Sequence, residues 1–132
     1  MKRAIAITAT AILTAPVAQA FPVVGGNGLC ANAQNLLSYL ESTYPAVLSV
    51  GGVRPDAIAD HPTGHALDVI VGGNTALGDT INADVLSQSS RFGVKYTIWQ
   101  QTEHMPSGAA MFMANRGSAT ANHRDHVHVS VY

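Results

Sequence analysis

Residues 66–71 read Ala66-Leu67-Asp68-Val69-Ile70-Val71, an apolar run in which Asp68 is the only charged residue. A short apolar run rich in β-branched residues predicts a central strand that is covered on both faces. An unpaired carboxylate inside such a strand would be strongly unfavourable, because burial disfavours the ionised form. The position of Asp68 therefore predicts that its carboxylate is paired, hydrogen-bonded or bound to a metal ion.

The segments on either side of this strand predict an α+β fold. One stretch of apolar residues at helical spacing ends at Pro45, and a second ends at Gly93. No βαβ unit is repeated, so we expect a small antiparallel sheet of about four strands with helices packed on it. The remaining predicted elements are helices over 31–44 and 76–92, strands over 47–53, 94–99 and 126–132, and a long ordered loop over 100–121.

The first twenty residues have the pattern of an export signal. Lys2 and Arg3 precede an uncharged apolar run, and Ala18-Gln19-Ala20 forms a cleavage site of the A-x-A kind. The run is shorter than the ~20 residues of a membrane span, although an uncleaved anchor is the alternative. We therefore expect residues 1–20 to be a signal peptide, and residues 21–132 to be a single secreted domain with no stable membrane insertion.

The composition of the predicted mature chain excludes some classes of function. Five basic residues remain against eight acidic ones, without the basic patch that a nucleic-acid-binding protein needs. The only cysteine is Cys30, so the chain cannot form an intramolecular disulfide. All six histidines lie between His61 and His128, a concentration that favours metal binding. We expect no nucleic-acid partner, and we expect a monomer.

Three residues are candidate metal ligands. His61 lies on the loop before Asp68, and His128 lies on a strand that an antiparallel sheet can place beside the Asp68 strand. Two imidazoles and one carboxylate leave a fourth position for water, which is the ligand count of a catalytic zinc site. The alternative is a metal-free fold in which Asp68 forms an ion pair with Arg54.

Two residues are candidates for a general base beside this metal. His126 shares a face of the last strand with His128, because side chains alternate along a strand. Asp125 precedes the regular strand, where the backbone can turn its carboxylate toward the metal. A zinc ion lowers the pKa of its bound water to about 7, so either side chain could accept that proton. The spacing leaves the choice between them open.

The segment His61-Pro-Thr-Gly64-His-Ala66-Leu-Asp68 resembles the His-x-x-Gly-x-Ala-x-Asp motif of a group of zinc peptidases. This group joins D-Ala-D-Ala carboxypeptidases and dipeptidases, lysostaphin-type endopeptidases and the hedgehog signalling domain. The segment ending in His128 is similar to the group's His-x-His motif, and Arg54 stands where the D-Ala-D-Ala branch has an arginine. Residues 51–132 look most like the C-terminal domain of secreted actinobacterial cell-wall proteins of this fold.

The resemblance implies a hedgehog-like or D-Ala-D-Ala-peptidase-like fold, and a zinc ion held by His61, Asp68 and His128. It also implies hydrolysis of peptidoglycan stem peptides by metal-activated water, with Asp125 as the base and Arg54 binding the substrate carbonyl or its oxyanion. Position 125 is Asp where the D-Ala-D-Ala branch has Glu, so its carboxylate is one methylene shorter. The alternative function is a non-catalytic, zinc-stabilised module that binds cell wall.

Overall fold

The computed structural model describes residues 20–132 together with Ala6 and Thr8. The predicted export signal over residues 1–20 lies, apart from Ala6, Thr8 and Ala20, outside the described residues. No helix in the described part of the chain is both long enough and apolar enough to cross a membrane.

The described residues form one mixed sheet of seven strands with three helices, which confirms the α+β class. The strand order is β1-β2-β3-β7-β4-β5-β6, and neighbouring strands are antiparallel except for the parallel pair β1 and β2. The elements are β1 (Val23–Val24), α1 (Ala31–Thr43), β2 (Ser49–Gly51), β3 (Ala66–Ile70), α2 (Thr75–Ser87), α3 (Ser89–Phe92), β4 (Val94–Trp99), β5 (Thr102–His104), β6 (Ala110–Phe112) and β7 (His126–Val131).

The predicted sheet of about four strands is too small, and its purely antiparallel pairing is wrong at one edge. The four predicted strands are the middle of the sheet, β2, β3, β7 and β4. The missed strands are the two-residue β1 and the β5–β6 hairpin, which forms inside the predicted long loop. All three residues of β6 are exposed. An edge strand without a buried face carries no alternating pattern, so its sequence does not distinguish it from a loop.

The two central strands, β3 and β7, divide the sheet into an apolar face and a polar face. Val69 lies opposite Val127, and Asp68 lies opposite His128, so each pair shares one face. The apolar face belongs to a core that also contains Leu36 of α1. All six residues of β7 are buried, which means that its polar residues are covered as well. The polar face of these strands carries the candidate site.

Helix α2 packs closely against Trp99 of β4 at Gly78. A Cβ atom added at this glycine would lie far inside van der Waals contact with the indole of Trp99. Trp99 is 3% exposed, and its Nε1 donates a hydrogen bond of 2.8 Å to Asp79. Trp99 therefore belongs to the core, and it does not line the cleft that carries the candidate site.

Helices α1 and α2 are joined by a polar cluster around Asp84. Its carboxylate accepts hydrogen bonds from the hydroxyls of Tyr39 and Tyr44 and from the amide of Gln88. Burial alone would raise the pKa of Asp84, but these hydrogen bonds outweigh burial and lower it. The ionised carboxylate therefore stabilises the packing of the two helices.

Candidate metal centre

Three ligand-type atoms meet on the polar face of the sheet. The Oδ1 atom of Asp68 lies 3.2 Å from Nε2 of His61 and 3.0 Å from Nδ1 of His128. The two ring nitrogens are 3.3 Å apart. All three side chains are buried, and together they form a group that could hold a metal ion.

The hydrogen bonds on the outer sides of the two imidazoles assign their tautomers. Nδ1 of His61 lies 2.8 Å from the carbonyl oxygen of Gly52, so it carries the proton and leaves Nε2 as an electron-pair donor. Nε2 of His128 lies 2.8 Å from Oγ of Ser130, whose own hydroxyl proton points to Asp60. The proton of His128 is therefore on Nε2, and Nδ1 faces Asp68. Three electron-pair donors converge on one point, an arrangement that a cation stabilises.

The size of this triangle fits a tetrahedral metal ion. Zinc bonds to nitrogen and oxygen of about 2.0–2.1 Å, arranged tetrahedrally, place neighbouring ligand atoms about 3.3–3.4 Å apart. The observed edges of 3.0, 3.2 and 3.3 Å are close to these values. The residues therefore fit a metal in both donor type and spacing.

Protons and a metal ion would compete for this site. Burial alone would raise the pKa of Asp68, but its close contacts with the imidazoles of His128 and His61 outweigh burial and hold this pKa well below its usual range. Burial would lower the pKa of His61, but the hydrogen bond and charge of Asp68 raise it. Because Asp68 favours a proton on Nε2 of His61, a proton and a metal ion would compete for this nitrogen.

A glycine turn brings His61 to the two strands. Gly64 has φ of +78°, and an added Cβ atom there would overlap the carbonyl of Gly28. The carbonyl oxygen of Gly64 accepts a hydrogen bond of 3.0 Å from the backbone N–H of Cys30 at the start of α1. The glycine in the His61–Asp68 segment is therefore needed for close backbone packing, which holds the ligand loop against the domain.

Arg54 contacts the same carboxylate from the solvent side. Its guanidinium lies 3.3 Å from Oδ2 of Asp68 and 3.2 Å from Oδ2 of Asp56, and its side chain is 47% exposed. The ion pair uses Oδ2 of Asp68, whereas the two histidines face Oδ1. Metal binding and pairing with Arg54 were posed as alternatives from the sequence, but the geometry permits both at once.

Asp125 and His126 form a pair at the edge of the site. Oδ1 of Asp125 lies 2.7 Å from Nδ1 of His126, and Oδ2 accepts a hydrogen bond of 2.6 Å from Thr120. Nε2 of His126 lies 3.7 Å from Oδ1 of Asp68. Burial would raise the pKa of Asp125, but the hydrogen bonds from His126 and Thr120 lower it. Nε2 of His126 therefore faces the candidate ligands, while the carboxylate of Asp125 contacts the opposite ring nitrogen.

The candidate ligands open into a cleft with a volume of about 460 Å³. Ile58, Ile98 and Arg116 line it together with Arg54 and His126. His65 and His104 do not line it; the Nδ1 atom of His65 instead lies 3.0 Å from the hydroxyl of Thr63. The cleft gives a substrate access to the metal position and offers it both apolar and cationic walls.

His123 is a cleft residue whose part in the site the sequence did not define. It has a left-handed backbone with φ of 52°, and its ring centroid is 4.6 Å from that of His126. Burial, with smaller effects from the neighbouring histidines, lowers the pKa of His123 to about 4. It therefore presents a neutral imidazole at neutral pH. Only its position two residues before Asp125 could have pointed to it, because an isolated left-handed residue has no periodic signal.

Comparison with known proteins places the chain in a family. Residues 25–124 match the family model described as VldE, C-terminal domain. The matched range contains His61 and Asp68 and ends just before Asp125. No curated protein and no solved structure gives a significant match. Because the match covers most of the chain, this protein belongs to the family VldE, C-terminal domain.

Proposed function

We propose that this protein is a secreted zinc peptidase that hydrolyses amide bonds in peptidoglycan stem peptides. The observation that carries the proposal is the convergence of His61, Asp68 and His128 within 3.3 Å at the base of an open cleft. Three protein ligands with access for a fourth is the arrangement of catalytic rather than structural zinc sites.

Zinc is the metal that best suits this donor set. Two imidazole nitrogens and one carboxylate oxygen favour zinc over calcium or magnesium, which prefer six or more oxygen ligands. When bound, zinc supplies an acidified water and a Lewis acid that polarises the scissile carbonyl. The assignment of His61, Asp68 and His128 as its ligands follows from the atoms that face the common point.

Three further side chains would accept the proton, orient the base and stabilise the developing negative charge. His126 is the general base, because its Nε2 faces the metal position and could accept a proton there. Asp125 fixes the orientation of this ring through Nδ1, as the aspartate of a catalytic triad does. Arg54 lies at the rim, where its charge can stabilise negative charge that develops on the substrate oxygen.

The choice of substrate and location rests on the sequence. The resemblance of the His61–Asp68 segment to cell-wall zinc peptidases supports stem peptides, a hedgehog-like fold and a cell-envelope location. The export pattern over residues 1–20 supports secretion. The mixed lining of the cleft, with Ile58 and Ile98 beside Arg116, suits a peptide that carries both methyl groups and carboxylates.

The proposal is tested by incubating the purified mature domain with stem peptides and with intact cell walls, with zinc and after chelation. We expect zinc-dependent cleavage that is lost in His61→Ala and retained in His104→Ala. His104 lies on β5 outside the cleft, so its variant controls for the loss of any histidine. Tight stoichiometric zinc without any product would refute the peptidase and favour the cell-wall binding module. Absence of zinc binding would refute both.

A further inference from the structure

A second carboxylate lies behind the metal centre, on the side of His128 that faces away from Asp68. Asp60 directly precedes His61 in the sequence, but its carboxylate points toward His128, which it reaches through Ser130. Oδ2 of Asp60 accepts a hydrogen bond of 2.8 Å from the hydroxyl of Ser130. Ser130 in turn accepts a hydrogen bond of 2.8 Å from Nε2 of His128. These contacts form a continuous chain from the carboxylate to the candidate ligand.

The hydrogen bonds that link Asp60, Ser130 and His128 are held in place by neighbouring side chains. Ser130 is fully buried on β7, two residues after His128 and on the same face of the strand. The hydroxyl of Tyr96 donates a hydrogen bond of 2.7 Å to Oδ2 of Asp60, and its ring stacks on the ring of His128 with centroids 5.8 Å apart. Lys95 lies 3.9 Å from the other carboxylate oxygen. The polar side-chain atoms of Asp60, Ser130 and the outer edge of His128 therefore all have partners, and the imidazole of His128 has little freedom to rotate.

We propose that Asp60 and Ser130 are positioning residues that hold His128 in its metal-binding tautomer and strengthen its Nδ1 as a ligand. The proposal rests on the proposed metal centre. A carboxylate that polarises the N–H of a ligating histidine makes the opposite nitrogen a better electron-pair donor, and loss of such partners weakens metal binding by about 10–100-fold. Here the hydroxyl of Ser130 transmits the effect, because it accepts from His128 while it donates to Asp60.

The two histidine ligands are supported unequally, and this difference makes the proposal specific. The outer nitrogen of His61 faces a neutral backbone carbonyl at Gly52, whereas the outer nitrogen of His128 faces a hydroxyl backed by a carboxylate. Asp60 also couples the two ligands, because a movement of its backbone moves His61 while a movement of its side chain disturbs His128. Changes at Asp60 should therefore affect metal binding although Asp60 is not itself a ligand.

The test measures zinc affinity, with zinc alone as the probe, by competition with a chromophoric chelator. We expect Ser130→Ala and Asp60→Asn each to weaken zinc binding about 10–100-fold. Ser42→Ala and Glu41→Gln are matched controls on α1, outside the cleft, and should leave the affinity unchanged. Thermal unfolding of the zinc-free proteins checks that each variant is folded. Asp60→Asn keeps the size of the side chain, and it alone tests the proposal if Ser130→Ala does not fold.

A double-mutant cycle separates positioning from general structural damage. If Asp60 acts through Ser130, the Asp60→Asn change should have little further effect once Ser130 is alanine. In the zinc-loaded wild type, long-range proton–nitrogen NMR spectra should show His128 protonated at Nε2, and this proton should exchange faster in Ser130→Ala. Unchanged zinc affinity in both single variants, or fully additive losses, would overturn the proposal while leaving the zinc site intact. Absence of zinc binding by the wild type would overturn the metal centre itself.

Discussion

Zinc binding should stabilise the fold by an amount that can be calculated. The candidate ligands are His61 and His128, on segments 67 residues apart, and Asp68 between them. Ligand atoms that lie this far apart along the chain come together only in the folded state. A metal that binds them stabilises that state by RT ln(1 + [Zn]/Kd), which is about 4 kcal/mol when free zinc exceeds Kd by about 1,000-fold.

This free energy corresponds to a large change in melting temperature. For a domain of roughly 110 residues the entropy of unfolding is about 0.23 kcal/mol per degree, so zinc should raise Tm by about 17 °C. Substitution of His61 by Ala removes one of the three candidate ligands. If Kd then rises to the free zinc concentration or above, the stabilisation falls to at most about 0.4 kcal/mol and the rise in Tm to less than about 2 °C.

Differential scanning calorimetry of the chelated and zinc-loaded protein measures this effect. Each variant is compared with its own zinc-free form, because removal of a buried imidazole also lowers stability directly. We expect His104→Ala to keep the full zinc-dependent rise in Tm and His61→Ala to lose it. An equal rise in His61→Ala and in the wild type would show that zinc binds elsewhere, and the assignment of the three ligands would then be wrong.

Three further predictions concern the fold and the base. Gly78→Ala should lower the free energy of unfolding by about 1–3 kcal/mol in urea titrations, because the clash with Trp99 outweighs the better helix propensity of alanine; a more stable variant would refute this. Asp84→Asn should lower the free energy of unfolding at pH 7. This loss relative to wild type should shrink below about pH 4, because the pKa of Asp84 is lowered in the folded state and its carboxylate stabilises the fold only while it is ionised. A loss that stays constant with pH would contradict this. His126→Ala should lower kcat by roughly 10²–10⁴ without loss of zinc, and Asp125→Asn should lower it less; the reverse order would make Asp125 the base.

The central part of this fold could be predicted from sequence because its strands have strong patterns. The continuous apolar run at β3 and the alternating valines of β7 identify buried strands, and a charge within such a run identifies Asp68 as a residue that needs a partner. The edges could not be predicted, because β1 and β6 are short and bury no continuous face. The number of strands could therefore not be predicted, because the edge strands have no sequence pattern of their own and form only by pairing with their neighbours.

The residues of the candidate metal site could be predicted from the sequence, but their supporting contacts could not. Asp68 and His128 follow from residue chemistry and from the register of two neighbouring strands, and His61 follows from its position on the loop before β3. Nothing in the spacing shows that Asp125 turns toward His126, since that orientation depends on Thr120 in a preceding loop. Ser130 could have been placed by the alternation of β7, but its partner Asp60 reaches it only through the turn around His61.

The position of β7 in the sheet has a consequence for the order in which the chain can fold during synthesis. This strand is the last of the seven described strands in chain order, yet it lies between β3 and β4 and joins the two parts of the sheet. Until it leaves the ribosome, the β2–β3 and β4–β5–β6 segments have no common neighbour through which to pair. The sheet of the nascent chain should therefore remain incomplete until β7 emerges, and a chain that stops before His126 should lack both the centre of the sheet and the candidate ligand His128.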